Sequence, residues 1–571
     1  MNERDFFLRP QNTSHRRYEA LRACILDGLT SKEAAERFGV SVHTVNVWRR
    51  EFKAGRMSDF FAEKEMGRPP LPTTDAARNE IVRLRKQNLS IYEISGQLER
   101  KGIGLTAKTV AQILTDEGFA RLPRRTAGER TMYLSGAIEQ AEPTDVRLFG
   151  SVGRVPTSYA GLFFFVPLIA ELGIDEIFTS GRLYGSARIP KENYLYSYLA
   201  CKLLGGKRLS EATNLSFDIG LGVFAGLNAL PKSSALTSYS YRNSHTAIAP
   251  MLRDLSRALG SRGLIKGDLI NLDFHSIPFW GEESDHMEKH WVPVRGRRMK
   301  SVLAFFAQDL ETTYLFYADG DVRNTEASDK VLDFARFFKK SAGRYPGMLV
   351  FDAGLTTMKN LRELDNLGIS FLTLRRRGKT LTAEAAKITE WKRYQLGDAK
   401  RIYKNPRVHE RTTFIKDLGQ VREIIVTGNG REKPMFMITN DREISAKDAL
   451  IAYSRRWRIE NSLAENVDFF NLNALSSPVV VKVDFDVAMT MFANTLYKYL
   501  ASKLRYYEHS RAKTLFRTFV EGRAEVTVED EVVHVRVEKR GRNPMLMELA
   551  EAYPDVSVPW WGGRHLAFEF V

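Results

Sequence analysis

The chain has 571 residues, of which 43% are hydrophobic, and this length is enough for three or four domains with separate cores. The two cysteines, Cys24 and Cys201, exclude a disulfide framework or a zinc finger, and neither the start of the chain nor its longest apolar run could act as a signal core or span a bilayer. The formal net charge of +16 favours a polyanionic partner, with nucleic acid first, although a basic soluble protein need not bind an anion.

Residues 1–60 are predicted to form a helix-turn-helix domain. An amphipathic helix comes first, Thr30-Ser-Lys-Glu33 is a capping box that opens a second, and Ser41 caps a third, Val42 to Lys53. A plain three-helix bundle with a solvated polar face is the alternative. The third helix presents side chains that can reach base edges or phosphates, namely His43, Thr44, Asn46, Arg49 and Arg50.

Residues 67–130 are predicted to form a second helix-turn-helix-like DNA-binding domain. Its helices cover Asp75 to Lys86, Ile91 to Arg100 and Ala107 to Glu117, and the last of them exposes Lys108. The linker between the two units contains Arg68, flanked by glycine and proline. Such an arginine can lie in a minor groove, or the linker is simply rigid.

The middle of the chain is predicted to hold a helical domain, residues 155–260, and the first part of a catalytic core, residues 264–375. In the core, three apolar runs indicate three consecutive strands, after which helix and strand alternate. This is the order of ribonuclease-H-like folds, and it places the first strand beside the fourth. We therefore expect a multidomain α+β protein with an RNase H-like α/β core.

Residues 376–444 are predicted to be a basic β-strand insertion into this core. From Arg375 to Arg411 there are twelve Lys or Arg against four Asp or Glu. A basic, strand-rich flap can hold a phosphate backbone, and a merely soluble insertion is the alternative. The candidate DNA contacts here are Arg375, Arg376, Arg377, Lys392 and Arg393. The core resumes over residues 445–507, and residues 508–571 form a C-terminal hairpin and tail.

Three carboxylates carry the chemistry. Two apolar strands are predicted to end in Asp273 and Asp352, and a long helix from Ser445 to Phe470 carries Glu460. Three acids on two strands and a helix can hold two divalent metals for an in-line displacement at a phosphodiester. Tyr453 and Arg456 precede Glu460 at offsets that share one helical face, so we expect them to position DNA. A separate cluster, Asp285, His286, Glu288 and His290, reads more simply as a polar loop.

The sequence resembles the DDE transposases of bacterial insertion sequences, specifically the family with a Tyr-Arg-Glu-Lys signature and a β-strand insertion. The matching residues are Asp273, Asp352, Glu460, Tyr453 and Arg456. Two positions depart from the family pattern. The Lys expected seven residues after the Glu is Val467, and the usual Asp-x-Thr is Asp273-Phe-His275.

The resemblance implies an enzyme that binds the terminal inverted repeats of its element and transfers them into target double-stranded DNA. It implies two Mg²⁺ ions, or Mn²⁺ in their place, held by Asp273, Asp352 and Glu460. It also implies a homodimer in the bacterial cytoplasm, associated with the nucleoid and not with a membrane. Two alternatives keep the same fold: a DNA-binding regulator that does not transpose, and a metal-dependent nuclease without strand transfer.

Overall fold

The structure is a computed structural model that describes most of the chain in two compact units, Met1–Ala76 and Ala77–Val571. Arg68, Asp285 and His286 lie outside the described residues. The described residues are 10, 13–55, 75–86, 89–116, 152–186, 189–206, 215–240, 243, 245–279, 288–396, 405–430, 432–473 and 480–571.

The first unit is the predicted helix-turn-helix. Its helices are α1 Thr13–Ile25, α2 Ser31–Phe38 and α3 Val42–Lys53. Thr30 forms the predicted capping box with Glu33, and Gly39 ends α2 in the left-handed conformation with φ 64°, which costs a glycine little. Ala34, Ala35 and Val45 are buried between the helices. The sequence therefore fixes this unit through its caps and small residues.

A second three-helix unit follows, as predicted. Its helices are α4 Asp75–Lys86, α5 Ile91–Arg100 and α6 Ala107–Asp116. Ser90 and Glu93 form a capping box at the start of α5. Ile81, Leu98 and Val110 are fully buried in its core.

Residues 152–261 are mostly helical but begin with a strand that the sequence prediction missed. The elements are β1 Val152–Thr157, a 3-10 turn Ala160–Phe164, α7 Phe165–Glu171, α8 Ile174–Ser180, α9 Lys191–Leu203, α10 Ile219–Phe224, α11 Ser233–Ser240 and α12 His245–Ser261. The missed strand pairs with the C-terminal part of the chain, so its partner could not be found locally.

A ten-stranded sheet forms the centre of the second unit. Its strands are β2 Leu269–Pro278, β3 Lys289–Val292, β4 Arg297–Asp309, β5 Leu315–Val322, β6 Met348–Val350, β7 Ser370–Leu374, β8 Lys392–Arg393, β9 Arg407–Ile415, β10 Gly419–Thr427 and β11 Met435–Thr439. The core order is β5-β4-β2-β6-β7, with β2, β4 and β5 antiparallel and β2, β6 and β7 parallel. This is the predicted order, and it sets the first strand beside the fourth.

Helices cover both faces of this sheet. They are α13 Lys330–Ala342, α14 Met358–Asn366, α15 Lys379–Ala386, α16 Ala446–Arg455, α17 Arg458–Asp468 and α18 Val480–Lys503. On one face Leu349 packs in a core that includes Phe334 of α13, and on the other Val350 packs with Ala449 of α16. Successive residues of a strand point to opposite faces, so β6 is buried on both sides.

The basic insertion is continuous with the core sheet. Strand β11 pairs with β7, and β10, β9 and β8 follow outwards. The insertion also contains the helix α15, which the prediction of a purely strand-rich segment did not include. It is therefore an extension of the catalytic sheet as well as a flap.

The C-terminal segment closes the helical domain. It contains α19 Ala512–Leu515, a π-helical turn Phe516–Val520, β12 Ala524–Val528, β13 Val532–Val537, α20 Asn543–Glu551, β14 Val556–Val558 and β15 Arg564–Phe570. These strands form a five-stranded sheet in the order β1-β12-β13-β15-β14. Trp561 is 1% exposed and Trp560 stacks on Tyr196 with ring centroids 4.2 Å apart. The predicted separate tail is thus part of the helical domain.

No helix among the described residues is both long and apolar enough to cross a membrane.

Candidate active site

Asp273 lies in the middle of β2, and not at a strand end as predicted. The strand continues to Pro278 because it keeps pairing with β4, where Asp273 is opposite Phe306. Its pairing with β6 stops at Asn271. One edge of β2 is therefore free from Leu272 onwards, and Asp273 lies at the opening that the short strand β6 leaves.

Asp352 lies just beyond the end of β6, next to this opening. Its Oδ1 accepts hydrogen bonds from the Ala353 N–H at 2.7 Å and from the Tyr453 hydroxyl at 3.2 Å. The Thr373 hydroxyl donates to the Asp352 carbonyl at 3.3 Å, which ties the loop to β7. Asp352 is thus held beside the opening by its own loop and by residues of β7 and α16.

Glu460 lies on α17, and the single long helix predicted from Ser445 to Phe470 is wrong. The helix breaks at Arg456 and Trp457, between α16 and α17. The buried side-chain amide of Asn271 donates to the carbonyls of Arg455 and Arg456, at 3.4 and 3.3 Å, and the Arg456 carbonyl also accepts the Ile459 N–H at 3.3 Å. A buried carbonyl without a partner is costly, so a strand residue two positions before Asp273 stabilises the break.

The Arg456 guanidinium lies close to two of the three acids. It lies 2.7 Å from Glu460 Oε1 and 4.0 Å from Asp273 Oδ2, and its side chain is 16% exposed. It also lies over the Tyr453 ring, 5.8 Å from the centroid. Arg456 therefore supplies the positive charge that lets the carboxylates sit close together.

The surroundings perturb two titrating groups. The pKa of the Asp273 carboxyl is raised to about 7, chiefly by burial and also by Glu460 and Asp352, while Arg456 and the Phe274 N–H act to lower it. Burial, followed by the Asp352 charge, raises the pKa of the Tyr453 hydroxyl above its ordinary value. Tyr453 is thus a protonated donor at neutral pH, and a positive ion near Asp273 would be favoured.

Carboxylate oxygens are the ligands that Mg²⁺ prefers, and this donor set fits such an ion. The hydrogen bonds and ion pairs described above use Oδ1 of Asp352 and Oε1 of Glu460, which leaves the second oxygen of each. Within the part of the chain that the structure describes, no three His, Cys, Asp or Glu side chains are grouped closely enough to hold a metal. The three carboxylates are therefore the right ligand type for such an ion but are not gathered into a site for it, and Arg456 supplies positive charge beside Asp273 and Glu460.

The two departures from the family pattern have structural explanations. Val467 is a partly buried residue packed on the main core, so a lysine there would have to leave an apolar contact. His275 is bonded through Nε2 to Asn473 Oδ1 at 2.7 Å, and burial lowers its pKa. Both positions serve packing. Asn271 is the positioning residue that the sequence did not reveal, since a polar residue inside an apolar strand has no motif.

The basic residues of the insertion have different surroundings. Arg375 donates to the buried Glu423 at 2.9 Å, and Arg411 pairs with the same carboxylate at 2.7 Å. The Arg376 guanidinium lies against Gly354, which is two residues from Asp352. A Cβ atom added to Gly354 would lie only 2.5 Å from Nη2 of Arg376. Arg377, Lys392 and Arg393 are exposed. The structure thus brings Arg376 towards the carboxylates and engages Arg375 in an internal ion pair.

The first helix-turn-helix shows which predicted side chains face solvent. His43, Asn46 and Arg50 are exposed at helical spacing on α3. Arg49 is partly buried and donates to the Ser31 hydroxyl at 2.9 Å, and Thr44 bonds to Ser41 at the helix cap. Lys108 is exposed on α6.

Comparisons with known proteins agree with this site. Residues 284–492, which include Asp352 and Glu460, match the family model of the transposase DDE domain, and residues 13–59 match that of a homeodomain-like domain. No curated protein matches the chain. Among solved structures, the crystal structure of a pre-cleavage Mos1 transpososome matches with 14% identity over 63% of this chain and 77% of that chain, and its TM-score of 0.13 is too low to define the fold.

These matches identify a transposase DDE domain over residues 284–492, which implies DNA cleavage and strand transfer, and a homeodomain-like domain over residues 13–59.

The burial of Asp273 predicts a stability cost in the metal-free protein. The pKa of Asp273 is about 7 in the folded chain and about 3.9 in the unfolded chain. The free energy of unfolding is therefore unaffected below pH 4, falls as the pH rises from 4 to 7, and stays lowered above pH 7. Asp273→Asn should therefore raise the free energy of unfolding at pH 8 in chelator by a few kcal/mol, since one pKa unit is worth about 1.4 kcal/mol. Urea unfolding at pH 8 and pH 5 measures this, and a gain that does not shrink at pH 5 contradicts it.

The role of Asn271 gives a second prediction. Asn271→Ala removes the amide donor at the helix break and takes that partner from the Arg455 carbonyl, while the Arg456 carbonyl keeps the Ile459 N–H; an unpaired buried polar group costs about 1–3 kcal/mol. We expect that loss of stability together with a slower cleavage reaction. Gln308→Ala, which removes a 2.7 Å hydrogen bond to Ser462 on α17 without touching the break, is the control. Equal cleavage rates for the two variants would rule out a positioning role.

Proposed function

We propose that this chain is the transposase of a bacterial insertion sequence. In this proposal it binds the terminal inverted repeats of its element, cuts there and joins the ends to target DNA in the bacterial cytoplasm. The observation that carries the proposal is the single guanidinium of Arg456, which contacts Glu460 and Asp273 beside Asp352. A regulator without catalysis has no need of a desolvated carboxylate such as Asp273, which is unfavourable to bury.

The catalytic roles follow from the site. We assign Asp273, Asp352 and Glu460 as the ligands of Mg²⁺, two ions in number, with Mn²⁺ as a substitute. When bound, Mg²⁺ would supply activation of the attacking oxygen and charge for the leaving oxygen. Arg456 neutralises the acids in the DNA-free protein and offers a bidentate contact to an incoming phosphate. Tyr453 keeps its one proton and donates it to Asp352, so it can donate to a phosphate oxygen only in exchange for that hydrogen bond.

DNA recognition is assigned to the helical units and the insertion. His43, Asn46 and Arg50 form the solvent face of α3 and suit the major groove, with Arg49 and Thr44 beside them. Lys108 and Arg68 are further candidate DNA contacts. Arg376 offers a phosphate contact beside the loop of Asp352, and Arg377, Lys392 and Arg393 are exposed cations of the insertion, the last two at the far edge of the sheet. Arg375 is the weakest candidate because Glu423 already neutralises it. A transposase must hold two element ends, which supports a homodimer.

A test of the catalytic assignment uses the DNA that flanks the reading frame as the element end. Glu460 is half exposed, so Glu460→Gln should leave the fold intact. We expect the variant to bind the end DNA like the wild type and to lose at least 100-fold in Mg²⁺-dependent cleavage. Gel analysis of cut and joined products measures this. Cleavage without joining by the wild type would identify a nuclease, and binding without cleavage a regulator.

A test of DNA recognition uses the exposed face of α3. Asn46→Ala and Arg50→Ala should each weaken binding to the element end by about 1–3 kcal/mol relative to unrelated DNA. Lys340→Ala, an exposed cation on α13, is the control for charge. Fluorescence anisotropy with both DNAs gives the specificity ratio. An unchanged ratio in both α3 variants would show that α3 does not read the end.

A further inference from the structure

A basic hairpin projects from the catalytic sheet and belongs to none of the surfaces assigned above. Strands β3 and β4 pair from Lys289 opposite Lys300 to Val292 opposite Arg297. The segment from 289 to 300 contains five Lys or Arg and no Asp or Glu. It connects directly to the part of β4 that pairs with the Asp273 strand.

One face of this hairpin holds it in place. His290 and Val292 are buried, and Nδ1 of His290 lies 3.0 Å from the Ser301 hydroxyl and 3.1 Å from the Ser301 carbonyl. Its Nε2 lies 3.4 Å from Glu288, which in turn accepts the Asn324 N–H at 2.9 Å. The hairpin is therefore fixed to the protein by its inner face.

The other face carries the charge and a large aromatic ring. Residues two apart on a strand share a face, and so do residues directly opposite each other. Lys289 and Trp291 therefore share this face with Arg298, which is opposite Trp291. Lys289 and Arg298 are exposed, and Trp291 is 57% exposed. In the described part of the chain, no aromatic ring packs on this indole.

The register gives the distance to the carboxylates. Arg298 precedes Phe306 on β4 by eight residues, and Phe306 is opposite Asp273. At about 3.3 Å per residue, the exposed face lies about 26 Å from Asp273 along the strand. Duplex DNA rises about 3.4 Å per base pair, so this span corresponds to about 8 base pairs.

We propose that the hairpin from Lys289 to Lys300 is a further DNA-binding element, which contacts the strand being processed about 8 base pairs from the cleaved bond. Lys289 and Arg298 neutralise phosphates, and Trp291 stacks on a base between them. The charge of the face is complementary to DNA, and a solvent-exposed indole between cations is the arrangement that binds nucleic-acid bases. This inference rests on the proposed DNA-transferring function.

The experiment compares binding of full-length variants to an element-end duplex that extends at least 15 base pairs on both sides of the cut. Lys289→Glu with Arg298→Glu should reduce the slope of log K against log salt by at least 1.8, since each phosphate contact contributes about 0.9. Trp291→Ala should weaken binding about tenfold, and Trp291→Phe should restore most of it. Lys340→Glu with Lys539→Glu, two exposed cations elsewhere, makes the same charge change as a control.

Two trimmed duplexes, each shortened to 4 base pairs on one side of the cut, locate the contact. The reduction in salt slope caused by Lys289→Glu with Arg298→Glu should vanish on one trimmed duplex and persist on the other. An unchanged salt slope, the same slope change in the control pair, or a defect that persists on both trimmed duplexes would overturn the inference. Binding is measured without cleavage, so a wild type that binds but does not cut would refute the proposed enzyme while the hairpin is still tested.

Discussion

The interaction of Arg456 with the carboxylates of Glu460 and Asp273 is the one on which the rest of this site depends. Like charges near one another are unfavourable in a partly buried site, and Arg456 relieves this by contacting Glu460 and approaching Asp273. The raised pKa of Asp273 comes first from burial, and the charges of Glu460 and Asp352 add to it. The site therefore favours an added positive charge. This is the electrostatic condition for binding a divalent cation and a phosphate together.

Backbone features around the site follow from the same requirement. Strand β6 has only three residues, so β2 loses one neighbour after Asn271 while β4 supports it on the other edge. The break between α16 and α17 allows Arg456 and Glu460 to turn towards this opening. Asn271 joins the two features, because one buried amide satisfies the carbonyls of the break from inside the strand. Sheet and helix are therefore coupled through a polar residue that touches no substrate.

The basic residues of the chain serve different purposes: some form internal ion pairs, and others are available to DNA. Within the insertion, Arg375 and Arg411 converge on the buried Glu423, and their charge stabilises the extended sheet. Arg376 instead lies next to the loop that carries Asp352. A count of basic residues therefore overstates the surface available to DNA, and exposure decides which cations remain. The hairpin of β3 and β4 is more basic for its length than the insertion, and Lys289, Trp291 and Arg298 on its outer face are exposed.

Sequence alone determined the elements whose signals are local. Capping boxes at Thr30 and Ser90 set the helical units, and the order of strands and helices set the core around Asp273, Asp352 and Glu460. Tertiary structure decided what depends on distant partners. Strand β1 forms only against β12, nearly 370 residues away, and Asp273 lies mid-strand because β4 continues where β6 stops. The helix break at Arg456 depends on Asn271, and the engagement of Arg375 depends on Glu423. Residue spacing predicts which side chains share a face of a helix or strand. Only tertiary packing decides which other element that face contacts, and where a strand or helix must end.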